Sequence, residues 1–167
     1  PDLIVGHGVL GRLLARLTIA AGGKPPTVWE VSDDRMGGSE GYHVKKPDQD
    51  KKSNYGTIFE ASGDPLLINT LIGRIQKGGE IVLTGFYPKD ISFAFPQAFM
   101  KEMRMRVAAE FNSDDIRATR SLIDSGSLSL EGLISHVETV KNARKAYEKA
   151  FNDNQCLKMI LNWGEIQ

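Results

Sequence analysis

Three glycines in the run Gly6-His7-Gly8-Val9-Leu10-Gly11 lie between an apolar stretch, Leu3-Ile4-Val5, and a helical pattern. In a strand–turn–helix each has its own task in binding a dinucleotide. The first permits the tight turn, the second lets a pyrophosphate approach the backbone, and the third lets helix and strand pack closely. The helix start then offers unpaired N–H groups and the positive end of its dipole to the phosphates. A carboxylate suited to the adenosine ribose follows at Glu30, nineteen positions after Gly11 and at the end of the next apolar run. Gly6, His7, Gly8, Val9, Leu10, Gly11 and Glu30 are therefore candidate cofactor-binding residues. Glu30 also bears on which cofactor. A carboxylate accepts hydrogen bonds from a free ribose hydroxyl and repels a 2′-phosphate, so NAD is expected rather than NADP.

Two other readings use the same features. One is a βαβ turn that binds nothing; the other is a methyltransferase, whose sheet would end in an antiparallel hairpin. Within the turn, His7 is either a spacer or a ring facing the phosphates. Arg35, five residues beyond Glu30, either stacks its guanidinium plane on adenine or is a solvated loop arginine. Three scattered histidines and the single Cys156 do not make a tetrahedral metal set, so no metal is expected. No catalytic acid, base or nucleophile can be picked out.

These residues need elements to hold them. Short β-type runs alternate with helical runs along the chain. That pattern predicts an α/β fold, a doubly wound, mostly parallel sheet with helices on both faces. Strands are expected at 3–5, 27–31, 57–61, 80–85, 104–111 and 156–163. A helix is expected over 11–21, stopped by Gly22-Gly23, and another from Pro65, capped by Asp64 and ended by Gly78-Gly79. Ser113 is expected to cap a helix running to about Ser125, and Val140, Ala143, Tyr147, Ala150 and Phe151 form one more helical stripe. Residues 32–55 are polar, with room for one short strand near 42–45 and no full helix. Ile91, Phe93 and Phe95 alternate with Ser92 and Ala94, as in a half-exposed strand.

The glycine turn, residues 57–63 with the helix and strand after them, and the tail through Leu133-Ile134-Ser135-His136 and Lys158-Met159-Ile160-Leu161 resemble the medium-chain dehydrogenase/reductase superfamily. The resemblance covers nearly the whole chain, as that superfamily's cofactor-binding half. Within it, residues 3–16 look most similar to the bacteriochlorophyllide a dehydrogenase family, which oxidises a hydroxyethyl substituent to acetyl with a nicotinamide acceptor. The resemblance implies that residues 1–167 are one NAD(P)-binding Rossmann domain, the C-terminal fragment of a longer protein whose catalytic N-terminal domain is absent. It further implies that Ser62, Gly63, Thr84, Gly85 and Phe86 line the nicotinamide side; strand-end punctuation is the alternative for Ser62 and Thr84. Residues 32–55 depart from the superfamily, which usually has a full helix and a further strand there.

Composition bounds the partners. Hydrophobic residues are 41% and charged residues 25%, as in an ordinary globular domain. The 21 lysines and arginines balance 21 aspartates and glutamates, which argues against nucleic acid. No apolar run approaches the roughly 20 residues of a membrane span. A lone cysteine points to a reducing cytoplasm. The expected partners are a small-molecule substrate, by resemblance a bacteriochlorophyllide, and a second copy through residues 91–95. The alternative function is an NAD-binding sensor or interaction module without turnover, or a dehydrogenase acting on another alcohol.

Overall fold

The computed structural model describes residues 1–164. Six parallel strands form one sheet: β1 (Leu3–Val5), β2 (Thr27–Trp29), β3 (His43–Lys45), β4 (Tyr55–Glu60), β5 (Ile75–Leu83) and β6 (Arg104–Val107). Their spatial order is β3-β2-β1-β4-β5-β6. All five pairings are parallel, so among the described residues this sheet has no antiparallel hairpin of the kind expected in a methyltransferase. The order reverses between β1 and β4, and in such sheets ligands bind beyond the carboxyl ends of the strands at that reversal.

Strand periodicity explains the two-sided core. Leu3 and Val5 point to one face and pack with Ile58, Leu71 and Ile81; Ile4 points to the other and packs with Ala15 and Val28. Helix α2 (Ile68–Arg74) covers the first face and α1 (Val9–Ala20) the second. Asp64 accepts from the Leu66 N–H at 2.9 Å and leads a 3-10 turn, Pro65–Leu67, into α2. Helix α3 (Phe95–Met100) precedes β6, and beyond β6 come α4 (Ser113–Asp124), β7 (His136–Thr139), α5 (Ala143–Asn152) and β8 (Met159–Asn162). The last two strands form a separate parallel pair.

Several expected elements are corrected. Gly78-Gly79 do not end α2. The helix stops at Arg74 because Ile75 already pairs with Tyr55, and the glycines lie inside β5. Gly78 has φ +73° there, and its N–H donates to Lys101 O at 2.7 Å. Residues 91–95 form no strand. Among the described residues no strand neighbours them, the Ala94 N–H donates instead to Asn69 Oδ1 at 2.8 Å, and α3 begins at Phe95 with Pro96 in its first turn. Phe93 and Phe95 instead line an apolar depression of ≈ 440 Å³ with Phe99 and Met103. Asn112, not Ser113, caps α4: its side chain accepts from the Asp114 and Asp115 N–H groups. The strands expected at 104–111 and 156–163 shorten to four residues each. Residues 32–55 hold two single 3-10 turns and β3, without a full helix. No helix among the described residues is long and apolar enough to cross a membrane.

Candidate functional site

The chain leaves β1 through Gly6 at φ +99°, a left-handed turn that a side chain would strain. Its N–H donates to Trp29 O at 2.8 Å, and an added Cβ would come within 3.2 Å of Ser62 N. Gly11, in the first turn of α1, packs so closely that a Cβ there would collide with the Gly6 carbonyl. Gly8 is different: a Cβ would meet no protein atom within 4 Å. It is also the residue that starts α1, with no side-chain cap and no acid in the first turn. The positive end of a 12-residue helix is thus left uncompensated beside open space.

That space is a cleft of ≈ 360 Å³ whose walls include Gly6, Gly8, Glu30, Arg35 and Ser62. Four loops from the carboxyl edge of the sheet meet in it. Glu30 follows β2 and is held by three backbone donors. Its Oε1 accepts from the Val31 and Ser32 N–H groups at 2.8 and 2.9 Å, and its Oε2 from the His7 N–H at 3.0 Å. A carboxylate has about four acceptor sites, so one remains on Oε2. The fit to a dinucleotide is physical: an uncapped helix start for an anion, room before Gly8, and a free acceptor at Glu30.

The His7 side chain is not among the walls of this cleft. Its ring is fully buried beneath the turn. Nδ1 lies 2.6 Å from Arg35 O and Nε2 2.8 Å from the Tyr42 hydroxyl. Burial holds its pKa below the ordinary histidine value; the Arg35 carbonyl offsets part of this, and the Arg12 guanidinium adds to it. Leu10 is substantially exposed and, like Val9, sits on the first turn of α1, outside the cleft walls. Arg35 is on the wall, with Nε donating to Asn154 O at 2.6 Å. Gly63, Thr84, Gly85 and Phe86 lie outside the cleft. They form one adjoining turn system: a Cβ on Gly63, at φ +73°, would collide with Phe86 O, and Phe86 is 90% exposed.

Sequence reading missed the group that organises that turn system. Glu60 ends β4 and is fully buried. One carboxylate oxygen accepts from the Ser62 N–H at 2.8 Å and the Ser62 hydroxyl, the other from the Gly63 N–H at 3.0 Å and the Tyr87 hydroxyl. Burial and the Glu60 carboxylate push the Tyr87 pKa well up. The Thr84 and Gly85 N–H groups donate to Glu60 O at 2.8 and 3.0 Å. Glu60 pairs with Val5, which places it level with the glycine turn. Arg12 was missed as well. It is 5% exposed, and its guanidinium donates to His7 O at 3.2 Å and Gly37 O at 2.8 Å. Among the described residues, no group of three or more histidine, cysteine or acidic residues is placed to hold a metal.

No protein-family model matches the chain. Among curated proteins, a 2-desacetyl-2-hydroxyethyl bacteriochlorophyllide A dehydrogenase of Rhodobacter capsulatus is 60% identical over 167 residues, 100% of this chain and 53% of that protein. A protein of the same name from Cereibacter sphaeroides is 58% identical over 163 residues, 98% of this chain and 51% of that one. The chain thus spans about half the length of the curated relatives it matches. Among solved structures, an L-idonate 5-dehydrogenase of Escherichia coli superposes with TM-score 0.83 at 21% identity, over 96% of this chain and 49% of that one. An E. coli alcohol dehydrogenase complexed with NADH gives 0.81 at 18% identity, over 96% of this chain and 51% of that one. A zinc-binding dehydrogenase of Sinorhizobium meliloti bound to NADP gives 0.73 at 16%, over 86% of this chain and 47% of that one. Sequence and fold agree: the chain is similar to the bacteriochlorophyllide dehydrogenases over about half their length, and it shares its fold with the dehydrogenases on which it superposes.

Proposed function

We propose that residues 1–167 are the NAD-binding domain of an oxidoreductase that oxidises the hydroxyethyl group of a bacteriochlorophyllide to acetyl. The observation that carries this is the open, uncapped start of α1 at Gly8, sharing one cleft with the Glu30 carboxylate. The substrate rests on what the two bacteriochlorophyllide dehydrogenases are named for. When bound, the dinucleotide supplies the hydride acceptor; the alcohol gives up a hydride from carbon and a proton from its hydroxyl. The N–H groups at the start of α1 hold the pyrophosphate, and Glu30 Oε2 accepts from the adenosine ribose. The turns organised by Glu60 (Ser62, Gly63, Thr84, Gly85 and Phe86) flank the nicotinamide. A reducing cytoplasm is the setting, and a second copy docks through the apolar surface of residues 91–95. For that pairing, light scattering should give a dimer that Phe93→Lys weakens; a monomer at high concentration removes it.

The test of the main reading is calorimetry with NAD+ and NADP+. A 2′-phosphate about 4 Å from Glu30 at an effective dielectric of ~20 is repelled by about 4 kcal/mol per unit charge. Screening reduces this to about 3 kcal/mol, roughly a hundredfold preference for NAD. Equal affinities at moderate salt, or unchanged discrimination in Glu30→Ala, would refute the role of Glu30. This chain alone should bind NAD+ without turnover, because one wall of a cleft cannot hold donor carbon and nicotinamide at ~3–3.5 Å. NADH formation from a hydroxyethyl chlorin should need the longer protein, and alcohol oxidation by the 167 residues alone would overturn the division of labour.

A further inference from the structure

The second position of the glycine turn carries a fully buried imidazole, bonded to Arg35 O and to the Tyr42 hydroxyl. A carbonyl can only accept, so Nδ1 of His7 carries the proton and donates to Arg35 O at 2.6 Å. In the neutral ring that leaves Nε2 to accept from the Tyr42 hydroxyl at 2.8 Å. The same residue's backbone N–H holds Glu30 Oε2. His7 therefore touches both cleft-wall residues on the adenosine side, Glu30 through its amide and Arg35 through its ring. Arg12 braces the same corner. Its guanidinium donates to the carbonyls of His7, Arg35, Gly37 and Gly38. Residues 33–38 are otherwise held by one 3-10 turn without a side-chain cap, by the Lys46–Asp33 ion pair at 2.7 Å, and by hydrogen bonds from Arg35 Nε to Asn154 O at 2.6 Å and from Gln155 Nε2 to Asp34 Oδ1 at 3.3 Å; none of the six is buried.

We infer that His7 is a positioning residue for adenosine, its ring fastening the 33–38 segment so that Arg35 and Glu30 stand at fixed places on the cleft wall. This rests on the dinucleotide reading above. A spacer would tolerate any side chain that fits the turn. A fastener requires a donor at the Nδ1 position, which asparagine can supply through its amide nitrogen and alanine cannot.

The test measures calorimetric binding of ADP-ribose to the protein and to His7→Ala, His7→Asn and Tyr42→Phe, with amide hydrogen exchange followed over residues 33–38. Expected are a loss of about tenfold or more in His7→Ala, recovery to within about threefold in His7→Asn, and faster exchange at 33–38 in His7→Ala and Tyr42→Phe. If His7→Ala does not fold, the two milder variants carry the test through the same readouts. ADP-ribose affinity within about twofold in His7→Ala, equal losses in the alanine and asparagine variants, or unchanged exchange at 33–38 in Tyr42→Phe would overturn the inference while leaving the dinucleotide reading intact. No binding of ADP-ribose by the unaltered protein would overturn that reading, and this inference with it.

Discussion

Replacing Glu60 by glutamine changes one heavy atom of a fully buried side chain and removes its charge. Both carboxylate oxygens now accept, from the N–H groups of Ser62 and Gly63 and from the hydroxyls of Ser62 and Tyr87. The hydroxyls can rotate to accept from an amide NH2, but a backbone N–H cannot. Whichever way the amide is turned, either Ser62 N–H or Gly63 N–H faces a donor. A buried donor left unsatisfied costs about 1–3 kcal/mol, and the remaining bonds lose their charge assistance at roughly 1 kcal/mol in total. Glu60→Gln should therefore destabilise the fold by about 3 kcal/mol. Tyr87→Phe, which removes one donor and leaves the carboxylate three others, should cost about 1 kcal/mol. Urea unfolding at neutral pH, followed by tryptophan fluorescence, measures both. A Glu60→Gln variant within about 0.5 kcal/mol of the parent would refute the idea that acceptance at both oxygens holds these turns, as would Tyr87→Phe costing more than Glu60→Gln.

Gly8 and Gly11 should separate cleanly. Gly8→Ala has room and an ordinary φ of −74°, so stability should hold within about 1 kcal/mol while NAD+ affinity falls roughly tenfold or more. Gly11→Ala drives a methyl into the Gly6 carbonyl and should cost about 2 kcal/mol or more in the same unfolding assay. Stability should also depend on pH through His7. Burial lowers its folded pKa below the ordinary 6.5, so the unfolded chain binds the proton first as pH falls. The contribution is complete above about 6.5 and declines through that value toward the folded pKa. Unfolding at pH 7.5 and 5.5 should show this loss, and His7→Asn should reduce it; an equal slope in the variant would refute the assignment. Asp50 adds a second acid limb. Burial would raise it, but hydrogen bonds from Tyr55 and Trp29 outweigh that and lower it. Its contribution is present above the ordinary carboxylate range and lost as pH falls through its lowered value, so Asp50→Asn should flatten unfolding free energy below about pH 4.

The sequence by itself determined the elements whose cause is local. The order of strands and helices follows from apolar periodicity, and Asp64-Pro65 and Gly6-His7-Gly8-Val9-Leu10-Gly11 carry their geometry in their own residue types. Glu30 was legible because its place is fixed by counting from the turn to the end of the next strand. Other features needed the third dimension. Gly78-Gly79 read as a helix stop, yet Ile75 had already found Tyr55 as a strand partner from twenty residues earlier. Ile91, Phe93 and Phe95 alternate as a strand would, but a strand needs a neighbour to accept its hydrogen bonds, and the described residues provide none there. The roles of His7, Arg12 and Glu60 were decided by tertiary structure alone. Each is a polar side chain whose partners are backbone groups or hydroxyls, several of them more than twenty residues away. Burial turns such groups from solvated surface into fasteners, because inside the fold an unmet hydrogen bond costs free energy that water would otherwise have offset.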